Sequence, residues 1–431
     1  MVRQVARDTL WNAGGALVPV VAGLWAFPRL IEVTEPDAFG WLSLAWVVLG
    51  AGGLFDLGLG RALAREVSAR SAFVSDRVRA GLELSFVAGV VFALAGILAA
   101  PIVAAWVGVG RLTHEDVVVA LRILSLSLPA VVVSSALRGV LEGGGRFFVA
   151  NAVRGPSIAA GFVLPLAVEP RLPWLVAAAV VGRWLGLAFY GWLVWLRRTP
   201  PSGGSDLSAE PSMSSRVGGP RGRHWRAMLS FGGAVTLTGA FAVVLSQADR
   251  VLVARVLGPA ALASWSPVFE VVSRVLLFPL AFVSALFPRM VGWSATPGGG
   301  LQNVVWSGVA VASGMVLPMM AIYVVIPTAL DFWLGSEITT GVIVGARWLV
   351  VGVFFNAVAQ VPFAFLQASG RPGIPAVING LEVPAYVLGS VLLLRSHGIA
   401  GAGMAWAIRA TLDAGLMYVA AFAVLRRGAR A

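Results

Sequence analysis

The chain has 431 residues, 58% of them hydrophobic and only 12% charged, which is about half the charged fraction of a soluble domain and predicts a surface that faces lipid. All 32 basic residues are arginines and cysteine is absent, which excludes a Walker A loop, a lysine Schiff base, disulfides and thiolate metal sites. The net charge of +12 is spread over loops between apolar segments, which favours anionic membrane lipids over nucleic acid as the partner.

The first half of the chain contains six apolar segments, each long enough to cross a bilayer. The predicted spans are residues 10–31, 37–58, 80–106, 117–140, 150–168 and 174–196. We predict helices, because a helix satisfies its own backbone hydrogen bonds in lipid. No cleavage site follows the basic residues 1–9, so we expect the first span to be retained rather than removed as a signal peptide.

A polar segment at residues 197–226, rich in proline, glycine, serine and arginine, predicts a flexible cytoplasmic linker. Six further spans follow, at residues 228–256, 260–288, 301–326, 342–366, 374–394 and 399–425. The predicted fold class is all-α, a polytopic membrane protein of about 12 transmembrane helices in two pseudo-symmetric six-helix lobes. The lobes are residues 1–196 and 227–431, on either side of the linker.

The two halves share a weak internal repeat. LEGGGR at residues 141–146 matches LQASGR at residues 366–371, and PDAFG at residues 36–40 corresponds to PAALA at residues 259–263. Six spans return the chain to its starting side, so both halves insert the same way up and the symmetry axis runs along the membrane normal. Two such lobes are expected to enclose a central cavity that opens to either side by rocking.

The distribution of arginine predicts the orientation. With the N-terminus in the cytoplasm, 21 of the 32 arginines lie on the cytoplasmic side, seven on the other side and four within spans. This bias follows the positive-inside rule and places both termini in the cytoplasm, in a multi-pass protein of the cytoplasmic (inner) membrane. Trp41, Trp106, Trp174 and Trp333 fall near predicted span ends, as in an aromatic belt.

Ionisable residues within the spans are the main functional candidates, because a charge in hydrocarbon costs about 2.5 to 3.5 kcal/mol unless it faces a cavity or a partner. Most lie in the second half. The basic candidates are Arg250, Arg274, Arg347 and Arg409, and the acidic candidates are Asp249, Glu270, Glu382 and Asp413. The first half offers chiefly Asp56, Arg61 and Arg183, and we predict that Arg183 snorkels to the interface.

Two pairs of these residues are spaced four apart, Glu270 with Arg274 and Arg409 with Asp413. Each pair lies on one helix face, within reach of an ion pair. Mutual neutralisation and a direct role in binding a substrate or protons both remain open at this stage.

The other intramembrane charges lack such partners. Asp249 and Arg250 are adjacent, so they point in different directions. Arg347 has no acidic neighbour at helical spacing and needs an anionic partner from another helix or from a ligand, a task that suits the planar guanidinium group. The three histidines, His114, His224 and His397, are far apart, so we predict no metal cluster, catalytic triad, cofactor or enzyme activity.

Four sequence segments, taken in order, point to a family. They are FDLGLGRALARE at residues 55–66, SQADRVLVARVLGPAALASW at residues 246–265, and LQASGRPGIPAVINGLEVP with GIAGAGMAWAIR near the end of the chain. Together with the six-plus-six layout, they resemble the polysaccharide flippase family (O-antigen and teichoic acid exporters) of the multidrug/oligosaccharidyl-lipid/polysaccharide exporter superfamily. The chain departs from relatives that have fourteen spans in having only twelve.

The resemblance implies two six-helix lobes in a V, alternating access, and a polyprenyl-diphosphate-linked oligosaccharide as cargo for surface polysaccharide biosynthesis. It further implies that cationic cavity groups bind the diphosphate, a role open to the four basic candidates. Proton or sodium coupling would then fall to the four acidic candidates. Polysaccharide assembly enzymes are the protein partners that the resemblance implies.

Three other functions remain in competition with a flippase. An ion-coupled drug or metabolite antiporter of the same superfamily would favour acidic over basic cavity walls. A multi-spanning glycosyltransferase or polymerase needs acidic catalytic groups and usually large outer loops, whereas the outer loops predicted here are short. A scaffold without transport activity would not need so many intramembrane charges.

Overall fold

The computed structural model describes residues 2–51, 55–56, 58–68, 74–196, 241, 243–291, 293, 299–335 and 338–428. Every regular element among these residues is helical. The predicted linker at residues 197–226 lies outside the described residues, so the lobe boundaries stay predictions.

The described residues of the first half form eight helices. They are α1 (Val2–Val33), α2 (Pro36–Gly50), α3 (Leu59–Ser68), α4 (Val74–Val107), α5 (His114–Ser125), α6 (Leu128–Gly143), α7 (Phe147–Val163) and α8 (Leu172–Leu196). Helices α5 and α6 follow each other closely and make one membrane crossing. The 3-10 turn Leu164–Ala167 extends α7.

The second half forms seven described helices. They are α9 (residues 243–257), α10 (Pro259–Ser273), α11 (Leu277–Met290), α12 (Gly299–Leu334), α13 (Thr340–Ala368), α14 (Gly373–His397) and α15 (Ala400–Gly428). The 3-10 turn Arg274–Leu276 joins α10 to α11, and these form one crossing.

Within the described residues, nine stretches are long and apolar enough to cross a membrane. Helices α1, α2 and α9 lie at the three remaining predicted spans. The chain is therefore a multi-pass, all-α membrane protein, as predicted.

Helix α2 ends at Gly50, before residue 58, the predicted end of the second span. The buried Asp56 carboxylate accepts hydrogen bonds from the Gly58 amide at 2.8 Å and from the Ser135 hydroxyl at 2.6 Å. This carboxylate, which sequence reasoning treated as a functional candidate, ties the turn before α3 to helix α6.

The internal repeat is visible in the backbone. Thr113 and Thr339 begin equivalent helices, and each side chain accepts a hydrogen bond from an amide of the first turn. Gly145 follows the end of α6 and Gly370 follows the end of α13. Their φ angles are 72° and 73°, a left-handed conformation that favours glycine. The match between LEGGGR and LQASGR thus corresponds to the same local structure in both halves.

Glycines allow the closest helix contacts within each half. Gly139 and Gly143 of α6 leave no room for a Cβ beside the backbone of α3, and Gly403 of α15 leaves none beside Gly345 of α13. Small residues commonly let membrane helices approach in this way.

Helices pack mainly with partners from their own half, and the halves meet chiefly where α2 lies against α10. Gly40 of α2 approaches the backbone of Pro259 so closely that a Cβ would collide with it. We call this end of the molecule, formed by the connections at residues 34–35, 108–113 and 258, the closed face. By the predicted orientation it is the side away from the cytoplasm.

Candidate functional site

A buried polar cluster in the second half contains seven of the eight predicted site residues. In its first part, Glu270 of α10 bridges two arginines. Its carboxylate lies 3.0 Å from the Arg250 guanidinium of α9 and also pairs with Arg274, one helical turn away. Arg250 further donates to Gln247 at 2.5 Å and lies over the Phe269 ring at 4.7 Å.

The second part of the cluster joins α14 and α15. Arg409 lies 3.9 Å from the Glu382 carboxylate, with its guanidinium near the Trp406 ring at 5.1 Å and the Tyr386 ring at 5.5 Å. The carboxyl of Asp413 faces that of Glu382. All three charged side chains are buried.

Asp249 connects the two parts. It is 2% exposed and accepts a hydrogen bond from the Trp265 indole at 3.0 Å. It also lies within electrostatic range of Arg409. Adjacent Asp249 and Arg250 have different partners, as predicted from their positions on the helix.

The predicted i,i+4 pairs have different outcomes. Glu270 and Arg274 do form an ion pair. Arg409 instead makes its ion pair with Glu382 on a neighbouring helix. Sequence spacing alone gave no indication of this partner, because Glu382 lies 27 residues earlier in the chain.

Several acidic oxygens of the cluster have no hydrogen-bond donor among the described residues. They are both carboxylate oxygens of Glu382 and one oxygen each of Asp249 and Asp413. An unsatisfied buried polar atom costs about 1 to 3 kcal/mol. A single proton held between Glu382 and Asp413 would give both carboxyls a hydrogen bond, and a bound cation would also satisfy them.

Arg347 lies apart from this cluster. Its guanidinium sits over the Tyr323 ring of α12 at 5.2 Å. A cation–π contact of this kind holds the charge without an anion. The structure therefore does not bring Arg347 together with the other predicted basic residues.

A second site, in the first half, was not predicted. A polar cavity of about 120 Å³ lies between α2, α6, α7 and α8. Its polar lining consists of Ser134, Ser135, Arg138, Arg154, Ser157, Arg183 and Tyr190. Hydroxyl and guanidinium donors dominate this lining, so the cavity suits an anion.

The cavity carries an excess of positive charge. Arg138 pairs with Glu142 at 3.4 Å, whereas no carboxylate in the described part of the chain pairs with Arg154 or Arg183. Arg154 also lies within electrostatic range of Arg274 from the other half. Arg154 of the first-half cavity and Arg274 of the second-half cluster therefore lie near each other, although they belong to different halves.

Arg183, predicted to snorkel to the interface, instead lines the cavity. Arg138 and Arg154, which fall within the predicted spans 117–140 and 150–168, line it from α6 and α7. A helical stripe was the available signal, since Ser134 and Ser135 each lie one turn before Arg138 on α6. Trp41, predicted to lie in an aromatic belt, is buried.

Comparison with known proteins gives concordant results. A protein described as "Putative O-antigen transporter" from Shigella flexneri is 24% identical over 96% of this chain and 96% of its own length. Among solved structures, an inward-facing multidrug resistance MATE family transporter of the MOP superfamily has a TM-score of 0.74 at 14% identity, covering 98% of this chain and 96% of its own. An outward-facing structure of such a transporter scores 0.66 at 14% identity, covering 99% and 96%.

The similarity to solved structures shows the fold, which is that of a MATE-like membrane transporter. The family is shown by sequence, because the family model for "Polysaccharide biosynthesis protein" matches residues 5–293, more than half of the chain. This chain therefore belongs to the polysaccharide biosynthesis protein family.

Proposed function

We propose that this protein is a flippase, which moves a polyprenyl-diphosphate-linked oligosaccharide across the cytoplasmic membrane for surface polysaccharide biosynthesis. The observation that carries the proposal is the cavity lined by Arg138, Arg154 and Arg183, with Arg274 facing it from the other half. Guanidinium groups hold phosphate oxygens with paired hydrogen bonds. A diphosphate would supply the negative charge that Arg154 and Arg183 lack.

The size of the cavity fits the charged part of such a cargo. About 120 Å³ accommodates a small anionic group rather than an oligosaccharide, so the sugars would occupy the wider cleft between the halves. The polyprenyl chain would stay in the bilayer, because moving it into a polar cleft would expose apolar surface. Binding of the diphosphate therefore fixes the cargo at the boundary between cleft and lipid.

Transport would proceed by alternating access between two lobes, residues 1–196 and 227–431. The halves touch at the closed face, and the fold overlaps better with an inward-facing relative than with an outward-facing one. With both termini in the cytoplasm, this conformation would receive cargo from the cytoplasmic leaflet. The linker at residues 197–226 and the cytoplasmic loops are where assembly enzymes would bind.

Energy for transport would enter through the acidic part of the second-half cluster. Asp249, Glu382 and Asp413 are buried and carry oxygens without donors among the described residues. Glu270 is already occupied by two arginines, which leaves the other three as the carriers of a proton or a sodium ion.

The proposal is tested in a strain that lacks the gene. Wild-type protein is expected to restore surface glycan and to clear lipid-linked oligosaccharide that accumulates facing the cytoplasm. Arg154→Ala and Arg183→Ala are each expected to reduce this activity at least about tenfold, because each removes a charge-assisted contact to the diphosphate.

Arg171→Ala is the matched control, because Arg171 is highly exposed and pairs with Glu169 on the surface. Its activity should equal that of the wild type at equal protein level in the membrane. Normal surface glycan in the deletion strain, combined with altered drug resistance, would contradict the proposal and favour the antiporter.

A further inference from the structure

The closed face contains a carboxylate that joins the two halves. Asp37, near the start of α2, accepts a hydrogen bond from the Ala260 amide of the second half at 3.0 Å. Its other oxygen accepts from the Arg111 amide of the first half at 3.1 Å. Asp37 is only 6% exposed, so water competes little for these bonds.

The bond to Ala260 satisfies a helix end. Ala260 is the second residue of α10, and an amide in a first turn has no acceptor within its own helix. Gly258, at the N-cap position, has no side chain to provide one, and Pro259 has no amide hydrogen. Asp37 thus caps α10 from the opposite half, where a negative charge also interacts favourably with the helix dipole.

The surrounding backbone is built for this contact. Gly40 touches the backbone of Pro259, and Gly110, with a φ angle of 64°, leaves no space for a Cβ beside the Asp37 carboxylate. Any larger residue at either glycine would separate Asp37 from its partners.

The contact also lies between equivalent parts of the repeat. PDAFG at residues 36–40 corresponds to PAALA at residues 259–263, and in the structure these segments meet each other. Asp37 and Ala260 hold the same position in the two copies. When equivalent segments contact each other, each position faces its own counterpart. An acid in both copies would therefore place two like charges together, whereas an acid in one copy opposite a backbone amide in the other gives attraction.

We propose that Asp37 is a latch, which holds the closed face shut and must release the Ala260 amide before the halves separate on that side. The inference rests on the proposed alternation between two conformations but not on the identity of the cargo. A variant without the carboxylate should open the closed face more often and the opposite face less often.

The test uses single cysteine reporters, because the natural chain contains no cysteine. Ser264→Cys reports on the closed face, where Ser264 lines a cavity between the halves. Ser134→Cys reports on the arginine cavity. Labelling by a membrane-impermeant maleimide is measured in right-side-out and inside-out vesicles, with no cargo added.

Asp37→Ala is expected to raise the labelling rate of Ser264→Cys about tenfold and to lower that of Ser134→Cys, because two charge-assisted bonds are lost. Asp37→Asn keeps one acceptor oxygen and nearly the same shape, so its effect should be smaller but in the same direction. If Asp37→Ala does not fold, the isosteric Asp37→Asn decides the test.

Asp116→Asn is the matched control. Asp116 also lies at the closed face and near a helix start, but it is exposed and its carboxylate accepts a hydrogen bond from Thr113, at the start of its own helix. Unchanged labelling in both Asp37 variants, or an equal rise in Asp116→Asn, would overturn the latch. Reciprocal labelling without glycan transport would leave the latch in place and count against the proposed cargo instead.

Discussion

Arginines in the membrane segments are accommodated in three different ways. Arg250 and Arg274 share the Glu270 carboxylate, Arg347 lies over an aromatic ring, and Arg154 and Arg183 line a polar cavity. The first two arrangements neutralise or shield the charge within the protein. Of these three arrangements, the third leaves the charge available for an external anion, which is why we place the proposed anion site in the arginine cavity rather than in the second-half cluster.

This difference predicts a large effect of Glu270 on stability. Glu270→Ala would leave Arg250 and Arg274 side by side without their shared anion, at a cost of about 3 kcal/mol. This is the lower end for a buried pair, because Glu270 keeps partial exposure. The expected result is a lower apparent melting temperature of the purified protein in detergent.

Glu169→Ala provides the comparison for that measurement. Glu169 pairs with Arg171 on the surface, and exposed ion pairs contribute about 1 kcal/mol or less. Its melting temperature should match that of the wild type. Equal melting temperatures for Glu270→Ala and Glu169→Ala would show that the bridge is not structural.

Two prolines leave backbone carbonyls free to accept hydrogen bonds from tryptophans of other helices. Pro28 has no amide hydrogen for the Leu24 carbonyl one turn earlier, and the Trp333 indole donates to that carbonyl at 2.8 Å. In the same way Pro165 frees the Gly161 carbonyl, which accepts from the Trp46 indole at 2.9 Å. The Trp333 bond joins α12 to α1 and so adds a second tie between the halves.

Close contact between helices predicts a strong dependence on one glycine. Gly139→Ala places a methyl group against the Gly60 carbonyl, and overpacking of this kind costs about 1 to 3 kcal/mol. The α3–α6 contact should loosen, giving a lower melting temperature and less protein in the membrane.

The matched control is Gly191→Ala, because a Cβ at Gly191 on α8 meets no neighbour within 4 Å. Alanine there removes backbone freedom from the unfolded chain, so stability should be unchanged or slightly higher. Similar losses in both variants would mean that glycine acts through helix propensity rather than through contact with α3.

Helix positions could be predicted from sequence far better than helix faces. Apolar length alone located the membrane segments, because lipid requires a helix wherever the chain crosses. Arg183 faces α6 and α7 because of the way α8 packs against them. Sequence spacing does not reveal this packing. Glu382 illustrates the same limit, since its charge is visible in sequence while its contact with Arg409 is not.

At the scale of the whole molecule, the two polar sites belong to different halves, and these halves meet at the closed face. The first half supplies an unpaired cationic surface, and the second half supplies buried carboxyls. Arg154 of the first half lies within electrostatic range of Arg274 of the second half. Motion of one half against the other would therefore change the environment of both sites together.

Such a link predicts that an ion gradient changes which face is open. When Glu382 and Asp413 take up a proton or a sodium ion, one of the two negative charges beside Arg409 is neutralised, and the packing of α14 against α15 should adjust. In vesicles, an imposed proton or sodium gradient is expected to shift labelling of Ser134→Cys and Ser264→Cys in opposite directions.

The double variant Glu382→Gln/Asp413→Asn is expected to lose this response, because amides keep the size of the two carboxyls but bind neither a proton nor sodium at neutral pH. Asp331→Asn serves as the control, since Asp331 is an exposed acid near the end of α12 and should leave the response intact. Which gradient moves the wild-type reporters identifies the coupling ion. A full response in the double variant would remove Glu382 and Asp413 from coupling, and would turn attention to Asp249, the remaining buried acid with an oxygen that lacks a donor among the described residues.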